Sequence, residues 1–244
     1  IRDYKKVTND RQIRYLIERD SMNSLIKPGN LFDASIIQQE RNRVTTLLKN
    51  EGYYYFSQAY IRFDADSTLP DNQVSLKMII SRINEARTDT LNNILRTDHL
   101  RYQLNEIYIQ TDFNPLQLNI NSPDDTLIYK RYHFISYNKK LKFNPETIRH
   151  HLLLRPGELF QVKNLENSYK MLGSLNVFKF INIKFEPVKD DSLLAFPRLN
   201  CFIFLTPGAK QEHREEIEGT HNGGALGVAG TISYRNKNFL KGAE

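Results

Sequence analysis

Residues 25–32, Leu-Ile-Lys-Pro-Gly-Asn-Leu-Phe, and residues 153–160, Leu-Leu-Arg-Pro-Gly-Glu-Leu-Phe, follow one pattern. Both have two aliphatic residues, a base, Pro-Gly, one polar residue and Leu-Phe. Proline fixes φ and glycine accepts the positive φ that other residues avoid, so a Pro-Gly step between apolar residues predicts a tight turn between packed elements. Pro28 and Pro156 are 128 positions apart (156 − 28). This recurrence predicts a duplicated chain.

The sequence after each turn predicts a helix and then two strands. Apolar residues recur at helical spacing, behind a possible cap at Asp33 in the first copy. They are Ile37, Val44, Leu47 and Leu48 in the first copy, and Leu165, Tyr169, Leu172 and Leu175 in the second. Two alternating segments then follow in each copy, as expected of a hairpin. They are residues 60–64 and 74–80, then 181–186 and 199–205.

The sequence before each turn predicts a strand and a first helix. Asn144, Pro145 and Glu146 supply a cap, a proline at the first helical position and an acid at the positive helix end. Asn9 or Asp10 can cap the matching helix, whose inward residues are Ile13, Leu16 and Ile17. The preceding strands are predicted at residues 1–7 and 102–109. Each copy therefore has the order strand, helix, helix, strand, strand.

The composition is that of a folded protein with two small domains. The 244 residues are 40% hydrophobic and 25% charged, and this length suits two domains of about 80–110 residues. The single cysteine, Cys201, excludes an intrachain disulfide and is expected in the core. The net charge of +6 suits anionic lipid, acidic partners or nucleic acid without choosing among them. A chain that opens without methionine, signal peptide or transmembrane helix is expected to be a fragment.

Two regions depart from the repeated unit. Residues 84–100 are polar and predict a connector between the copies. Residues 112–140 form an insertion, polar at first and then alternating through Leu127, Tyr129, Arg131, His133 and Ile135. A long insertion with its own strand is either functional decoration or an added sheet edge, and the sequence leaves both open.

The last 35 residues have another character. Leu226, Val228, Ile232 and Tyr234 would share one face of a strand, and the small or polar residues Gly227, Ala229, Thr231 and Ser233 the other. An apolar face opposite a small or polar face over about 10 residues is typical of a transmembrane β-strand. A half-buried strand of a soluble sheet has the same pattern.

The repeated order, the Pro-Gly turns and the Glu-rich and Gly-rich ending together resemble the BamA/TamA superfamily of outer-membrane assembly proteins. Residues 40–43 (Glu-Arg-Asn-Arg), 50–54 (Asn-Glu-Gly-Tyr-Tyr) and the closing Asn-Phe-Leu-Lys-Gly-Ala-Glu are similar to the TamA-like branch of Bacteroidetes. The resemblance implies an α+β fold with two POTRA domains, each a three-stranded sheet backed by two helices. It places these at residues 1–83 and 101–208, with the insertion inside the second, and the start of a truncated β-barrel at 209–244.

The resemblance also implies a function and a location. It implies insertion of β-barrel proteins at the outer membrane, with this region mainly on the periplasmic side. The implied partners are unfolded outer-membrane proteins, periplasmic or lipoprotein accessory factors and, through the barrel, outer-membrane lipid. A three-stranded sheet has open edges, where an extended client can add a strand through its backbone.

The strand after the helix pair is a sheet edge in POTRA folds, so the expected client-binding residues lie in these strands. They are Tyr60, Ile61, Arg62, Phe63 and Asp64, then Ile181, Asn182, Ile183, Lys184, Phe185 and Glu186. In the first barrel strands, Gly223, Gly224, Gly227 and Gly230 are expected to weaken strand pairing where a barrel opens toward clients. These glycines can equally serve turns and bulges.

Other classes of function find less support in the sequence. It has no phosphate loop, nucleophile elbow or zinc spacing, so we expect no catalysis, no cofactor and no metal. His213, Glu215, Glu216, Glu218 and His221 are interpreted as solvated or lumen-facing charge. A KH domain shares the element order but needs Gly-x-x-Gly between its helices, which argues against nucleic acid. A periplasmic scaffold that docks a partner without inserting anything stays open.

Overall fold

A computed structural model of the chain describes residues 1–83, 98–116, 125–137, 141–188, 196–222 and 225–237. Most of the predicted connector, parts of the insertion, and Gly223 and Gly224 lie outside the described residues. The chain divides into two compact units. The first comprises residues 1–103 with 159–162 and 194–197, and the second comprises the remainder. None of the helices among the described residues is long and apolar enough to cross a membrane.

The first unit has the predicted order of elements. These are β1 (Asp3–Thr8), α1 (Arg11–Arg19), α2 (Ala34–Asn50), β2 (Ile61–Asp66) and β3 (Ser75–Ile80), with short 3-10 turns before α2 and before β2. The Asp10 carboxylate accepts from the backbone amides of Gln12 and Ile13, and that of Asp33 accepts from Ser35. Both acids are therefore the helix caps that the sequence predicted.

The sheet of the first unit has the order β1-β3-β2, with β1 parallel and β2 antiparallel to β3. The helices cover one face of it, because each presents an apolar stripe to the alternate apolar residues of the strands. The core joins Ile13, Leu16 and Ile17 of α1, Val44 and Leu48 of α2, and Ile61, Met78 and Ile80 of the sheet. All three inward residues predicted for α1 are confirmed.

A buried ion pair ties the segment between the helices to α2. Glu40 is fully buried and accepts hydrogen bonds from Ser24 Oγ and the Leu25 amide, each at 2.9 Å. It also accepts from Arg43 Nε at 2.9 Å, and Arg43 donates to Asp20 as well. Burial alone would raise the pKa of Glu40, but the Arg43 guanidinium and these donors outweigh it, so the pKa is lower than usual.

The second unit repeats the order around a larger sheet. Its elements are β4 (Gln103–Gln110), β5 (Asp125–Tyr129), β6 (Tyr132–Ser136), α3 (Pro145–His150), α4 (Val162–Ser174), β7 (Phe178–Pro187) and β8 (Arg198–Pro207). The strand order is β5-β6-β4-β8-β7. The inward residues of β8, which are Leu199, Cys201, Ile203 and Leu205, are completely buried, as the alternation predicted.

The insertion contains two strands, so the prediction of one alternating strand through residues 127–135 is wrong. Lys130 and Arg131 adopt positive φ values of 49° and 67° and turn the chain back between β5 and β6. After this turn the inward positions are even-numbered and no longer odd-numbered. The buried residues of β6 are therefore Tyr132, Phe134 and Ser136. Since β6 pairs in parallel with β4, this hairpin is an added sheet edge, which is one of the two alternatives that the sequence left open.

The two Pro-Gly turns have the same geometry. Gly29 and Gly157 have φ values of 90° and 89°, which only glycine adopts without strain. Gly29 donates to the Ile1 carbonyl at 2.8 Å, and Gly157 donates to the Leu104 carbonyl at 2.7 Å. Each turn thus closes onto the start of the first strand of its own copy. The duplication predicted from the sequence is therefore a structural one.

A long hairpin follows β8. Strands β9 (Gln211–Asn222) and β10 (Ala225–Asn236) pair antiparallel along their whole length and form a separate two-stranded sheet. No other strand among the described residues pairs with either of them.

Candidate functional site

The predicted client-binding strands lie at sheet edges. β2 is the last strand of the first sheet, and β7 is the last strand of the second. Residues 181–186 all lie within β7, but Tyr60 precedes β2. It belongs to a 3-10 turn because its amide bonds to the Ser57 carbonyl at 3.2 Å. Whether these strands bind clients stays a prediction.

The side chains of β2 alternate between the core and solvent. Ile61 is buried and Phe63 is half-buried, whereas Arg62 and Asp64 are exposed and form an ion pair at 3.0 Å. The Ser81 amide donates to the Tyr60 carbonyl at 2.9 Å. This bond shows which residues of β2 form backbone hydrogen bonds with β3. Hydrogen bonding to β3 therefore uses the even-numbered residues, and the backbone groups of Ile61, Phe63 and Ala65 point away from it.

The side chains of β7 have the same alternation. Ile183 is buried, Ile181 and Phe185 are half-buried, and Asn182, Lys184 and Glu186 are exposed. The Ile183 amide donates to the Tyr169 hydroxyl at 2.9 Å and so points away from β8. The backbone groups that face outward from β7 therefore belong to its odd-numbered residues.

The two faces of the hairpin differ in composition. Ile217, Val228 and Ile232 share one face and are 84%, 82% and 81% exposed. Gly219, Gly230 and Tyr234 lie on the same face, with His213 and Glu215 toward the end that joins β8. The opposite face carries Glu212, Arg214, Glu216, Glu218, Gly227, Ala229, Thr231 and Ser233. An apolar side with this much exposure on a two-stranded sheet needs a further covering.

The acidic cluster of β9 is divided between the two faces of the hairpin. Glu216 and Glu218 lie on the polar face, and His213, Glu215 and His221 on the other. The His213 and Tyr234 rings pack across the strands with centroids 5.0 Å apart. Within the described ranges, no group of three or more His, Cys, Asp or Glu side chains is placed to hold a metal ion.

The glycines of β10 differ in their surroundings. A Cβ at Gly227 would come within 2.7 Å of Thr220 Oγ1, whereas a Cβ at Gly230 would meet only the Glu216 carbonyl oxygen at 3.9 Å. The absence of a side chain at Gly227 thus makes room for Thr220 on β9. At Gly230 there is space for a side chain. Their expected role in weakening strand pairing stays a prediction.

Three residues at the edges were not predicted from the sequence to act there. They are Tyr169 and Pro187 at β7, and Arg41 beside β2. Pro187 could have been found from sequence, because a proline in a strand pattern indicates an edge. The spacing predicts Tyr169 only as an apolar residue of a helix stripe, and nothing in it indicates the partner of the hydroxyl.

No protein-family model and no curated protein matches the sequence. Among solved structures, BamA from Haemophilus ducreyi lacking POTRA domains 1–3 matches 96% of this chain and 33% of its own, at 11% identity and a TM-score of 0.56. CdiB from Acinetobacter baumannii matches 100% of this chain and 36% of its own, at 12% identity and a TM-score of 0.43. The chain thus spans about a third of the length of these two proteins.

The likeness to BamA shows the fold. Both copies have the strand, helix, helix, strand, strand order, with the β5-β6 hairpin added before the helices of the second, and a β-hairpin follows the second copy. The predicted α+β fold of POTRA type is therefore confirmed. The TamA-like, Bacteroidetes branch stays a prediction.

Proposed function

We propose that this chain, which has the fold of POTRA-containing BamA, is the periplasmic region and first barrel hairpin of an outer-membrane protein assembly or translocation factor. Its role is to bind unfolded outer-membrane proteins by strand addition and to pass them toward the membrane, with no catalytic step. Accessory periplasmic proteins or lipoproteins would use the same region.

The hairpin is the observation that carries this proposal. Its apolar face carries three aliphatic side chains that are more than 80% exposed, opposite a charged and small-residue face. A lone hairpin cannot span a bilayer, because each unpaired backbone group there costs several kcal/mol. Continued into a closed barrel, the same strands would present the aliphatic middle of this face to lipid and their polar face to the lumen, with His213, Glu215 and His221 toward the two ends. Only residues 208–210 separate β8 from β9, so the second unit adjoins the membrane surface in this arrangement.

The edge strands supply a means of binding many clients. About four or five backbone hydrogen bonds, at about 0.5–1.5 kcal/mol each and less the cost of ordering the client, give weak and reversible association. Such binding reads little sequence, because it depends on main-chain groups. These are the properties that a handler of many unfolded substrates needs.

Photo-crosslinking in cells tests this proposal. A photoreactive amino acid at Arg62 or Lys184 lies on an exposed position of an edge strand. We expect at least one of the two to trap newly made outer-membrane β-barrel proteins, identified by mass spectrometry. Thr46, an exposed position on α2, is the matched control and should trap none.

Two results would count against the proposal. Lipid adducts alone at both edges, or no adducts at all, would exclude strand addition by clients. Repeated capture of one folded periplasmic protein, without barrel proteins, would favour the scaffold function instead.

A further inference from the structure

The two edge strands are protected to different degrees. A free edge is normally blunted by covering groups, proline or bulges, because these remove the backbone donors that another strand would use. β7 carries all three of these features, and β2, whose six residues the structure describes completely, carries no proline and no register shift.

The first feature of β7 is the Tyr169 hydroxyl. Tyr169 lies on α4, and its hydroxyl accepts from the Ile183 amide at 2.9 Å, in the middle of the strand. This amide is one that an added strand would have to use, because it points away from β8. A client must therefore break this bond before it can pair across the centre of β7.

The other two features lie at the ends of β7. Pro187 lies four residues after Ile183, so its backbone nitrogen also faces away from β8. A proline has no N–H, so an added strand would lack a donor there. At the other end, the pairing with β8 shifts register between Phe178 and Phe180. A bulge bends and twists the strand there, which disfavours a straight added strand. The edge is thus interrupted at both ends and at its centre.

β2 is different at the matching positions. With the 128-residue spacing of the two turns, Arg41 occupies the place of Tyr169. Its guanidinium carbon lies 5.7 Å from the Phe63 ring centroid, and its buried Nε has no hydrogen-bond partner among the described residues. The Ile61 amide bonds to the Gln58 carbonyl at the strand start. Among the described residues, no hydroxyl bonds to the outward amides of Phe63 and Ala65.

We infer that β2 of the first unit is the edge that accepts an extended client strand, and that Tyr169 and Pro187 keep β7 closed to it. The client is an unfolded outer-membrane protein segment, so this inference rests on the proposed function. Arg41, half-buried beside the Phe63 ring, adds a positive charge next to this edge.

The remaining sheet edges are less suitable. Beside β1, the Gly29 amide donates to the carbonyl of Ile1, just before the strand, at 2.8 Å. β5 has only five residues and ends in the turn at Lys130. β5 is thus shorter than β2, whereas β1 has the same six residues and differs from β2 by this contact with the first Pro-Gly turn.

Hydrogen exchange tests the Tyr169 cap without any client. In Tyr169→Phe, we expect the Ile183 amide to exchange about five- to tenfold faster, the equivalent of one hydrogen bond. The Ile203 amide on β8 should be unchanged. Tyr129→Phe is the matched control, because it removes a hydroxyl bond to Glu146 at 3.2 Å in the same unit. An unchanged exchange rate at Ile183 in Tyr169→Phe would show that the Tyr169 hydroxyl does not protect this amide.

Crosslinking to a defined peptide tests the choice of edge. The probe is a synthetic peptide with the sequence of β10, residues 225–236, added to the whole chain with a photoreactive residue at Arg62 or Lys184. We expect trapping at Arg62 to exceed that at Lys184 by about tenfold, which corresponds to one or two hydrogen bonds. The double variant Tyr169→Phe/Pro187→Ala should raise trapping at Lys184 and leave Arg62 unchanged.

Other outcomes separate this inference from the proposed function. Equal trapping at Arg62 and Lys184 in the unchanged chain would overturn the inference and leave strand addition standing. Trapping only at Lys5 on β1 or Leu127 on β5 would also overturn it. Trapping at no edge would overturn strand addition itself, whatever hydrogen exchange shows for the Tyr169 cap.

Discussion

Glu40→Ala is expected to lower the free energy of unfolding of the first unit by about 3–5 kcal/mol. The carboxylate is fully buried, and its loss leaves Arg43, itself largely buried, without its principal counter-charge. It also leaves the Leu25 amide and the Ser24 hydroxyl without their acceptor. Breaking one side of a buried pair costs more than the pair contributes, because the remaining charge stays desolvated.

Native-state hydrogen exchange measures this effect within one unit. The amides of Val44 and Leu48 on α2 should lose protection, while that of Ile203 in the second unit should not. Gln39→Ala, at the neighbouring exposed position of the same helix, is the control and should change stability by less than about 0.5 kcal/mol. Equal losses in the two variants would mean that the buried pair does not hold α2 in place.

The same carboxylate predicts a pH dependence. The pKa of Glu40 is lower in the folded chain than in the unfolded one, so the unfolded state binds more protons between the two values. Its stabilising contribution is complete above the ordinary glutamate pKa of about 4.3 and is lost as the pH falls through the folded value. Glu40→Ala should flatten this acidic part of the stability profile.

Val228→Lys is expected to destabilise the membrane-inserted form by about 2–4 kcal/mol if residue 228 lies near the bilayer midplane. Val228 is on the apolar face of the hairpin and pairs with Gly219 on β9. Ala229→Lys is the matched control, because it adds the same charge one residue away on the polar face, opposite Glu218. The control should assemble normally.

The measurement is the amount of folded protein recovered from outer membranes for each variant, in the complete protein that carries this chain. Lower recovery of Val228→Lys alone supports a lipid-facing position. Equal recovery of both variants would place both faces of β10 in similar surroundings, as in a sheet exposed to water.

Local chemistry explains how much of the fold could be predicted from the sequence. Asp10, Asp33 and Asn144 cap helices through contacts within three residues of themselves, so their sequence context is sufficient. The alternation along β8 was equally clear, because every second residue is apolar and buried. The Pro-Gly turns needed only the two residues at their centre and the repeat.

The parts that were missed depend on contacts distant in sequence or on unusual turn residues. Lys130 and Arg131 form a two-residue turn at positive φ without the glycine or asparagine that normally indicates one. His99 lies in a segment predicted as a polar connector, yet it is buried between the Phe56 and Tyr60 rings. Tyr169 and Ile183 meet only after α4 has packed on the sheet.

Cysteine labelling of the intact cell envelope tests the central claim most directly. The native Cys201 is completely buried, and burial raises the pKa of its thiol, so it should not react with maleimides. Single cysteines at Val228 and Ile232 should resist a water-soluble maleimide, because a thiol in hydrocarbon stays protonated, whereas one at Lys184 should react with it. Ready reaction of all three with the water-soluble reagent would contradict the account, because the hairpin would then lie in water.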